Sequence, residues 1–311
     1  MTSSAAPEIV LTLKGRALWR KWRETTHVAQ LLAAKPPTRA DRLRVRLHAF
    51  APIRRPVFVL GCPRSGTTFL GEVLQAMPTV SYFFEPPALK YYTRLIYQNQ
   101  VSFAQARRYY RWGLRALLWS APGKGPRIIE KNPNHTWVAE TLLKIFPDAR
   151  FIVISRDARD TALSLLQKPW HLRRSLESGR REPGGYLYGP YPHFYIEPER
   201  RAEFVETSDL HRCIWIWRRH AEEIERLKTA LPAAVQHHVH YEDLILQPER
   251  EWSGILDFIG ERSPAARAAA MDAAREGHSS SIGRWKRILQ PADLAVMARE
   301  AGALMKQLHY E

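Results

Sequence analysis

Cysteine is scarce in this sequence. The two cysteines, Cys62 and Cys213, cannot supply a disulfide framework of several bridges, and their spacing matches no thiolate zinc site. The other common metal-ligand patterns are missing as well. Thiols that stay reduced are typical of the cytoplasm. We therefore expect a protein of a reducing compartment that needs no metal.

Long apolar runs are also missing. No stretch is both long and apolar enough to span a bilayer. The first residues, Met-Thr-Ser-Ser-Ala-Ala-Pro, do not combine a basic start with an apolar segment, as a signal peptide does. We therefore expect a soluble, cytoplasmic protein.

Acidic residues are in short supply relative to basic ones. The chain has 47 Lys plus Arg against 31 Asp plus Glu, which gives a formal net charge of +16. Such an excess predicts an anionic partner: a nucleic acid, an acidic membrane, an anionic glycan or a polyanionic cofactor. A basic surface kept for solubility is the alternative, and charge alone does not choose between them.

The N-terminal segment, residues 1–55, is crowded with arginine and lysine from Leu11 onward. Before a proline-rich break at residues 35–37, four apolar residues recur at roughly helical intervals: Trp19, Trp22, Leu31 and Leu32. This pattern predicts a helical arm. The arm either packs its tryptophans on the rest of the protein or lies on an anionic membrane.

Residues 56–311 are predicted to form one α/β domain, because short buried strands alternate with helical segments. The predicted strands are residues 57–60, 127–130, 151–154 and 235–240, and the helices are 67–77, 136–146 and 209–231. The alternation favours a P-loop-like open parallel sheet with helices on both faces. Residues 168–208 lack periodicity and are rich in Pro, Gly, Arg and aromatic residues. We interpret them as a long functional loop on the acceptor side of a site.

A glycine-bounded loop follows the first strand directly. Its sequence is Gly61-Cys62-Pro63-Arg64-Ser65-Gly66-Thr67-Thr68, and the next helix begins at its end. Backbone N–H groups at such a helix start bind phosphate. A nucleoside-triphosphate loop of this type has a lysine directly after its last glycine, but here Thr67 takes that place and Arg64 is the loop's cation. The loop therefore suits a 5′-phosphate that carries sulfate.

This loop resembles the 5′-phosphosulfate-binding loop of sulfotransferases that use 3′-phosphoadenosine 5′-phosphosulfate (PAPS). A later segment, Ile152 to Ser164, resembles the 3′-phosphate-binding motif of the same family, with Arg156 at the strand exit and Ser164 eight positions on. The resemblance covers the chain from about Pro56 onward. Its motif pattern is most similar to the bacterial, carbohydrate and tyrosyl-protein branches.

The resemblance implies roles for individual residues. Those expected to bind the donor PAPS are Pro63, Arg64, Ser65, Gly66, Thr67, Thr68, Arg156, Ser164 and, in a late segment, Ser281, Arg284 and Trp285. Lys131, in Glu130-Lys131-Asn132-Pro133, resembles the family's lysine near the transferring sulfuryl group, and Arg64 would share that work. No metal is required in this scheme.

The base that takes the acceptor proton has two candidates. Small-molecule sulfotransferases of the cytosol carry a histidine two positions after the lysine, but that position is Pro133 here. Glu85, between Phe84 and Pro86, stands where the tyrosyl-protein and several carbohydrate branches carry a glutamate. Its apolar neighbours predict a raised pKa. We favour Glu85 as the base over His135, which has the more convenient unperturbed pKa.

The sequence thus predicts sulfuryl transfer from PAPS to an acceptor hydroxyl. The acceptor can be a glycan, a glycolipid, a phenol or a peptide, and a carbohydrate is favoured. The loop at residues 168–208 and the arginine-rich residues 107–115 are both candidates to line the acceptor site. Two other classes stay open: a P-loop kinase or NTPase, and a basic nucleic-acid-binding protein, although no specific nucleic-acid partner is expected.

Overall fold

Five parallel strands form the centre of the molecule. The computed structural model describes residues 38–120, 124–182 and 185–310. Its strands are β1 (Val57–Gly61), β2 (Val80–Phe84), β3 (Arg127–Lys131), β4 (Arg150–Ser155) and β5 (Gln236–His240). They are ordered β2-β3-β1-β4-β5, and every neighbouring pair is parallel. The predicted open parallel sheet is confirmed.

Helices surround this sheet. Those before β4 are α1 (Arg39–His48), α2 (Thr67–Gln75), α3 (Pro87–Tyr97), α4 (Phe103–Ser120) and α5 (Ala139–Ile145). Those after it are α6 (Ala158–Leu166), α7 (Arg201–Glu206), α8 (Asp209–Ala230), α9 (Tyr241–Leu246), α10 (Pro248–Phe258), α11 (Pro264–Arg275), α12 (Trp285–Ile288) and α13 (Pro291–Gln307). Single 3₁₀ turns occupy Pro169–His171, Arg173–Ser175, Pro198–Arg200, Ala233–Val235 and Ser279–Ser281, and a longer one spans Pro133–Val138.

Both faces of the sheet are buried. In β1, Phe58 and Leu60 join the core under α4 and α5, whereas Val57 and Val59 join the opposite core under α2, α10 and α11. Successive side chains of a strand point to opposite faces, so a sheet covered twice needs apolar residues at every position. This is why β1 is a continuous apolar run.

Strand β2 was not predicted from the sequence. Residues 80–84 read Val-Ser-Tyr-Phe-Phe, and they form the edge strand beside β3. Glu85 therefore does not lie in a free loop after the first helix, because it directly follows a paired strand. The helix predicted at residues 136–146 is also different, since its first part is the 3₁₀ turn Pro133–Val138.

The arm predicted at residues 1–55 is described only from residue 38 onward. Helix α1 packs on α4, and Val45 and Ala49 are buried in the core on that face of the sheet. The predicted helical face with Trp19, Trp22, Leu31 and Leu32 lies outside the described residues, and the division into arm and domain stays a prediction. In the described part of the chain, no helix has the length and hydropathy needed to cross a bilayer.

Gly71 sets how closely α2 approaches the sheet. A Cβ atom at this position would lie 2.1 Å from Oη of the buried Tyr82 on β2. We expect Gly71→Ala to destabilise the fold by about 1–3 kcal/mol, because overpacking outweighs the better helix propensity of alanine. Chemical denaturation measures the change in the free energy of unfolding.

Gly302→Ala is the matched control. Gly302 also lies inside a helix, but its added Cβ would meet only Ala298 at 3.7 Å, an ordinary van der Waals distance. This variant should be stabilised by about 0.5–1 kcal/mol. Equal effects at the two glycines would show that α2 does not depend on this close approach.

Candidate functional site

The loops that follow the five strands meet at one edge of the sheet. Because all strands are parallel, their carboxyl ends lie on the same side, which is where ligands bind in open α/β sheets. The first residues after the five strands are Cys62, Glu85, Asn132, Arg156 and Tyr241. The predicted site residues near these ends are therefore brought to one edge by the fold.

The loop after β1 has an unusual backbone. Arg64 has φ 72°, a left-handed value that is rare for a residue with a side chain, and Gly66 at the start of α2 has φ 93°. A Cβ on Gly66 would lie 2.2 Å from the ring of Tyr241, so only glycine fits there. The loop is thus held against β5's exit, with the N-terminus of α2 behind it.

The two predicted phosphate motifs touch each other. Nε of Arg64 donates to Oγ of Ser164 at 3.1 Å, and Nη1 of Arg156 donates to the carbonyl of Arg64 at 3.3 Å. Nη2 of Arg156 donates to the carbonyl of Ser281 at 2.6 Å. Residues that are 92 to 125 positions apart in the chain therefore form one hydrogen-bonded group.

Tyr241 contacts two members of this hydrogen-bonded group, Arg156 and Ser281. The guanidinium of Arg156 lies 4.4 Å from the centre of its ring, and its hydroxyl is 2.8 Å from Oγ of Ser281. Burial, followed by the charge of Arg156, lowers the pKa of Arg64. Two guanidinium groups held this close favour an anion between or beside them.

The late segment with Ser281, Arg284 and Trp285 is tied to helix α6. The carboxylate of Asp160 accepts hydrogen bonds from the backbone N–H of Gly283 at 2.6 Å and of Trp285 at 3.0 Å. The guanidinium of Arg159 lies 3.8 Å from the centre of the Trp285 ring. Arg284 is partly exposed at the start of α12. The segment therefore lies over the motif that contains Arg156.

Four charged side chains form a second chain of contacts at the same edge. Oε1 of Glu85 lies 2.5 Å from Nζ of Lys131, and Oε2 lies 3.3 Å from Nζ of Lys90. Lys90 also contacts Glu182 at 3.0 Å. The Glu85 side chain is 23% exposed, the most open of the four, so it is the member that a second substrate can reach.

These contacts set the pKa of Glu85. Burial raises the pKa, but Lys131 and Lys90 lower it through charge and hydrogen bonds and bring it to about 2. Burial lowers the pKa of Lys131, and the partner carboxylate opposes that change only in part. The sequence-based expectation of a raised pKa for Glu85 is wrong for this state of the protein, because sequence showed its apolar neighbours and not its two lysines.

His135 lies in a closed polar network inside the core. Its Nδ1 is 2.7 Å from Oε2 of Glu130, and its Nε2 is 2.9 Å from the hydroxyl of Tyr110. That hydroxyl is 2.9 Å from Oγ1 of Thr93. The side chains of His135 and Glu130 are fully buried, and burial raises the pKa of Glu130. No acceptor hydroxyl reaches His135 in this arrangement.

The long segment at residues 168–208 packs against the site edge. Glu182 belongs to it and contacts Lys90, a residue of α3. Its Tyr186 stacks on His193 with ring centres 4.2 Å apart, and Arg94 lies 5.2 Å from the Tyr186 ring. Burial lowers the pKa of His193 to about 3. The segment is therefore an ordered wall beside Glu85.

The arginine-rich residues 107–115 lie elsewhere. Arg111 and Arg115 line a cleft with residues 52–54 and 146–148, which precede β1 and β4. That is the opposite edge of the sheet from the strand exits. Arg111 and Arg115 therefore do not lie beside the strand exits, where the acceptor was expected.

Sequence reasoning missed four residues of the site: Lys90, Glu182, Asp160 and Tyr241. Asp160 lies inside the motif from Ile152 to Ser164, and Tyr241 directly follows the strand predicted at residues 235–240. Lys90 lies between Leu89 and Tyr91 on an amphipathic helix, and a lysine among apolar residues is a signal because a largely covered lysine needs a partner. Glu182 had no sequence signal, since only folding brings it to Lys90.

The depressed pKa of Glu85 predicts a pH-dependent contribution to stability. A carboxyl group whose folded pKa lies below its unfolded value stabilises the fold fully above the unfolded pKa, about 4.3 for Glu. That contribution is lost as the pH falls toward about 2. Glu85→Gln should therefore lower the free energy of unfolding by about 3 kcal/mol at neutral pH. The difference should shrink as denaturation is repeated at lower pH.

Glu249→Gln is the control for this measurement. Glu249 forms an exposed pair with Arg275 at 3.5 Å. Such surface pairs contribute little, so this variant should match the wild type at every pH. A Glu85→Gln difference that stays constant from pH 7 to pH 3 would contradict the assigned ion pairs.

Comparisons with known proteins agree with this geometry. A model described as the sulfotransferase family matches residues 56–182. An uncharacterized protein of Aquifex aeolicus is 29% identical over 167 residues, which are 47% of this chain and 21% of that protein. Protein-tyrosine sulfotransferase A of Caenorhabditis elegans is 21% identical over 216 residues, 65% of this chain and 49% of that protein. The chain thus spans about a fifth and about half of these relatives.

The fold has solved counterparts. The crystal structure of the sulfotransferase STF9 from Mycobacterium avium matches with a TM-score of 0.55 and 17% identity. The match covers 94% of this chain and 92% of the other. It shows a shared architecture, and the family model spans the loop after β1, both candidate bases and the motif with Arg156. Residues 56–182 therefore match the sulfotransferase family, and the chain shares the fold of a solved sulfotransferase.

Proposed function

We propose that this protein transfers a sulfuryl group from PAPS to the hydroxyl of an acceptor. The observation that carries the proposal is the contact between the two phosphate motifs, Arg64 with Ser164 and Arg156 with the Arg64 carbonyl. A donor with phosphates at both its 5′ and 3′ positions needs two such groups side by side. A nucleoside triphosphate needs a loop lysine instead, and Thr67 is buried at that position.

The residues present fit this donor. Among the described residues, Arg156 donates only to backbone carbonyls, and its Nε is buried without a hydrogen-bond partner. A phosphate oxygen would satisfy that group. The loop from Pro63 to Thr68 would hold the 5′-phosphosulfate, and Arg156 and Ser164 the 3′-phosphate. Ser281, Arg284 and Trp285 would cover the nucleotide.

Glu85 would take the proton from the acceptor, and Lys131 would stabilise the charge that develops on the leaving oxygen. In the described state the two side chains neutralise each other at 2.5 Å. Once Lys131 turns toward the sulfuryl oxygens, Glu85 keeps only Lys90 as its partner. The pKa of Glu85 then rises, which makes it a better proton acceptor.

Like phosphoryl transfer, this reaction needs aligned reactants and charge stabilisation more than covalent chemistry. Arg64 can supply both alignment and charge stabilisation. It is a cation whose backbone is fixed in a left-handed conformation and whose side chain is held by Ser164. A left-handed non-glycine residue at a binding loop stores strain that the fold must offset. We infer that Arg64 aligns the donor for in-line attack.

A carbohydrate hydroxyl is the acceptor that we propose. The described parts of this wall, residues 168–182 and 185–208, carry Tyr186, Tyr188 and Tyr191, and all three are partly exposed. Aromatic faces with a polar tip suit sugar rings. Incubation with sulfur-labelled PAPS and a fractionated extract of the source cells tests this choice. Label found in phenols or peptides and not in saccharides would reject it.

Binding measurements with two nucleotides should show which motif binds the 3′-phosphate. Arg156→Ala should weaken the binding of adenosine 3′,5′-bisphosphate roughly ten- to a hundredfold, because it removes charge-assisted hydrogen bonds. Ser164→Ala should weaken it less. Both should affect adenosine 5′-phosphosulfate, which has no 3′-phosphate, much less. Isothermal calorimetry measures the four affinities.

Arg150→Ala is the matched control for donor binding. Arg150 begins the same strand that Arg156 follows, so it lies at the other edge of the sheet. Its loss should leave both affinities unchanged. Equal losses for the two nucleotides in Arg156→Ala would show that Arg156 does not read the 3′-phosphate.

Glu85→Gln should lower kcat by on the order of a hundredfold or more, with nucleotide affinity nearly unchanged, because the shape is kept and the proton acceptor is lost. Folded His135→Gln should keep most of its kcat, since His135 is buried away from any acceptor. Steady-state kinetics with a PAPS donor measures both variants. If His135→Gln were inactive while Glu85→Gln kept its activity, His135 and not Glu85 would be the base.

A further inference from the structure

Helix α1 exposes a row of large apolar side chains. Leu43, Leu47 and Phe50 are 63%, 64% and 76% exposed. Their spacing of four and then three residues places them along one side of the helix and its end. The other side of α1 holds Val45 and Ala49 in the core. The hydrophobic core therefore does not use the side chains of this row, and the row is exposed to a partner.

Helix α4 continues the row with tryptophan and arginine. Arg108, Trp112, Arg115 and Trp119 follow one another at spacings of four, three and four, so they share one side of the helix. Trp112 and Trp119 are 54% and 50% exposed. We call the two rows together the α1–α4 face.

The two rows are continuous. The Trp119 ring meets the ring of Phe50 edge-on at 5.4 Å between centres. Nε of Arg46 donates to the carbonyl of Trp119 at 3.0 Å, and its guanidinium lies 5.7 Å from the Trp119 ring. Apolar side chains and cations are therefore interleaved on one surface.

Few carboxylate groups lie near the arginines of α4. Arg107, Arg108, Arg111 and Arg115 border an open cleft of about 460 Å³, and none of them is in an ion pair among the described residues. The neighbouring cleft has one carboxylate, Asp148, in its wall. Like charges spaced four residues apart destabilise a helix. An anionic partner would relieve this repulsion.

The mixture of side chains identifies the partner. Nucleic acids and glycans are bound by cations and aromatic rings, but they gain nothing from exposed leucines. An anionic bilayer uses all three classes, because cations meet the headgroups while leucine, phenylalanine and tryptophan enter the interface. The N-terminal 37 residues have six Lys plus Arg against two Glu, so their net charge is positive as well. A second copy, also +16, would be repelled.

We propose that the α1–α4 face docks the protein on the surface of an anionic lipid bilayer. The cleft beside it that contains Asp148 is lined by residues that precede β1 and β4, at the sheet edge opposite the candidate sulfuryl site. A docked molecule therefore keeps its strand exits, with Glu85 and Arg156, open to solvent. The proposal does not depend on the identity of the reaction.

Vesicle co-sedimentation tests this surface with the full chain. The wild type should bind vesicles of phosphatidylcholine mixed with phosphatidylglycerol, and should bind phosphatidylcholine alone far more weakly. The triple variant Arg108→Gln, Arg111→Gln, Arg115→Gln should lose roughly a hundredfold in partitioning, since each cation near an anionic surface contributes about fivefold. Added salt should weaken the wild type more than this variant.

The matched charge control is Arg250→Gln, Arg262→Gln, Arg275→Gln, three exposed arginines on and near α10 and α11. It removes the same net charge and should keep vesicle binding within a few fold of wild type. Phe50→Ser should weaken binding even at high salt, whereas Leu246→Ser, at an apolar residue 61% exposed elsewhere, should not.

Thermal unfolding of every variant, and adenosine 3′,5′-bisphosphate binding, check that fold and donor site are intact. Equal losses in the two triple variants would overturn the proposal, because binding would then follow net charge alone. So would binding to heparin or single-stranded DNA that depends on the three α4 arginines when vesicles are not bound. Loss of vesicle binding only in the α4 and Phe50 variants would confirm the α1–α4 face.

Discussion

The common direction of the five strands is the constraint on which the rest of this structure depends. It brings the residues after every strand to one edge, and Glu85, Arg156 and Tyr241 among them form contacts of the candidate site. Parallel strands need crossover helices, and those helices bury both faces of the sheet. The same arrangement leaves the opposite edge, with its arginines, free of the chemistry. The proposed catalytic site and the proposed membrane-binding face would thereby lie at opposite edges of one sheet.

Concentrated positive charge is the second feature of the strand-exit edge. Arg64 and Arg156 are joined through a backbone carbonyl, and Lys131 and Lys90 share Glu85. Burial and the charge of Arg156 lower the pKa of Arg64, so the site is electrostatically costly until an anion arrives. A polyanionic donor would relieve that cost and free Glu85 from one of its two cations. Binding of the donor and activation of the base are thus coupled through Lys131.

Two residues with a strained backbone lie in the same region. Arg64 and Glu85 both have left-handed φ values, 72° and 41°, and both stand directly beside a strand exit. Such conformations survive only where the surroundings determine them strongly. Around Arg64 these surroundings are Gly66 against Tyr241 and the bond to Ser164. Around Glu85 they are the two lysines, so its orientation depends on the ion pairs that also set its pKa.

The sequence alone determined the sheet, its double covering and most of the donor site, because these follow from local patterns. Apolar runs such as Val57–Leu60 identify buried strands, and the loop from Gly61 to Thr68 carries its chemistry in consecutive residues. Arg156 was found in the same way. Strand β2 was not predicted, because Val-Ser-Tyr-Phe-Phe is short and its edge position leaves no distinct hydrophobic periodicity.

Only the tertiary structure decided the contacts between distant segments. It placed Lys90 and Glu182, 92 positions apart, on either side of the candidate base. It shows that His135 is buried with Glu130 and Tyr110. It also shows that Arg111 and Arg115 of α4 lie at the edge of the sheet opposite the strand exits. The physical reason is that a pKa and an accessible surface depend on charges and neighbours in space. Sequence shows only which side chains are near along the chain.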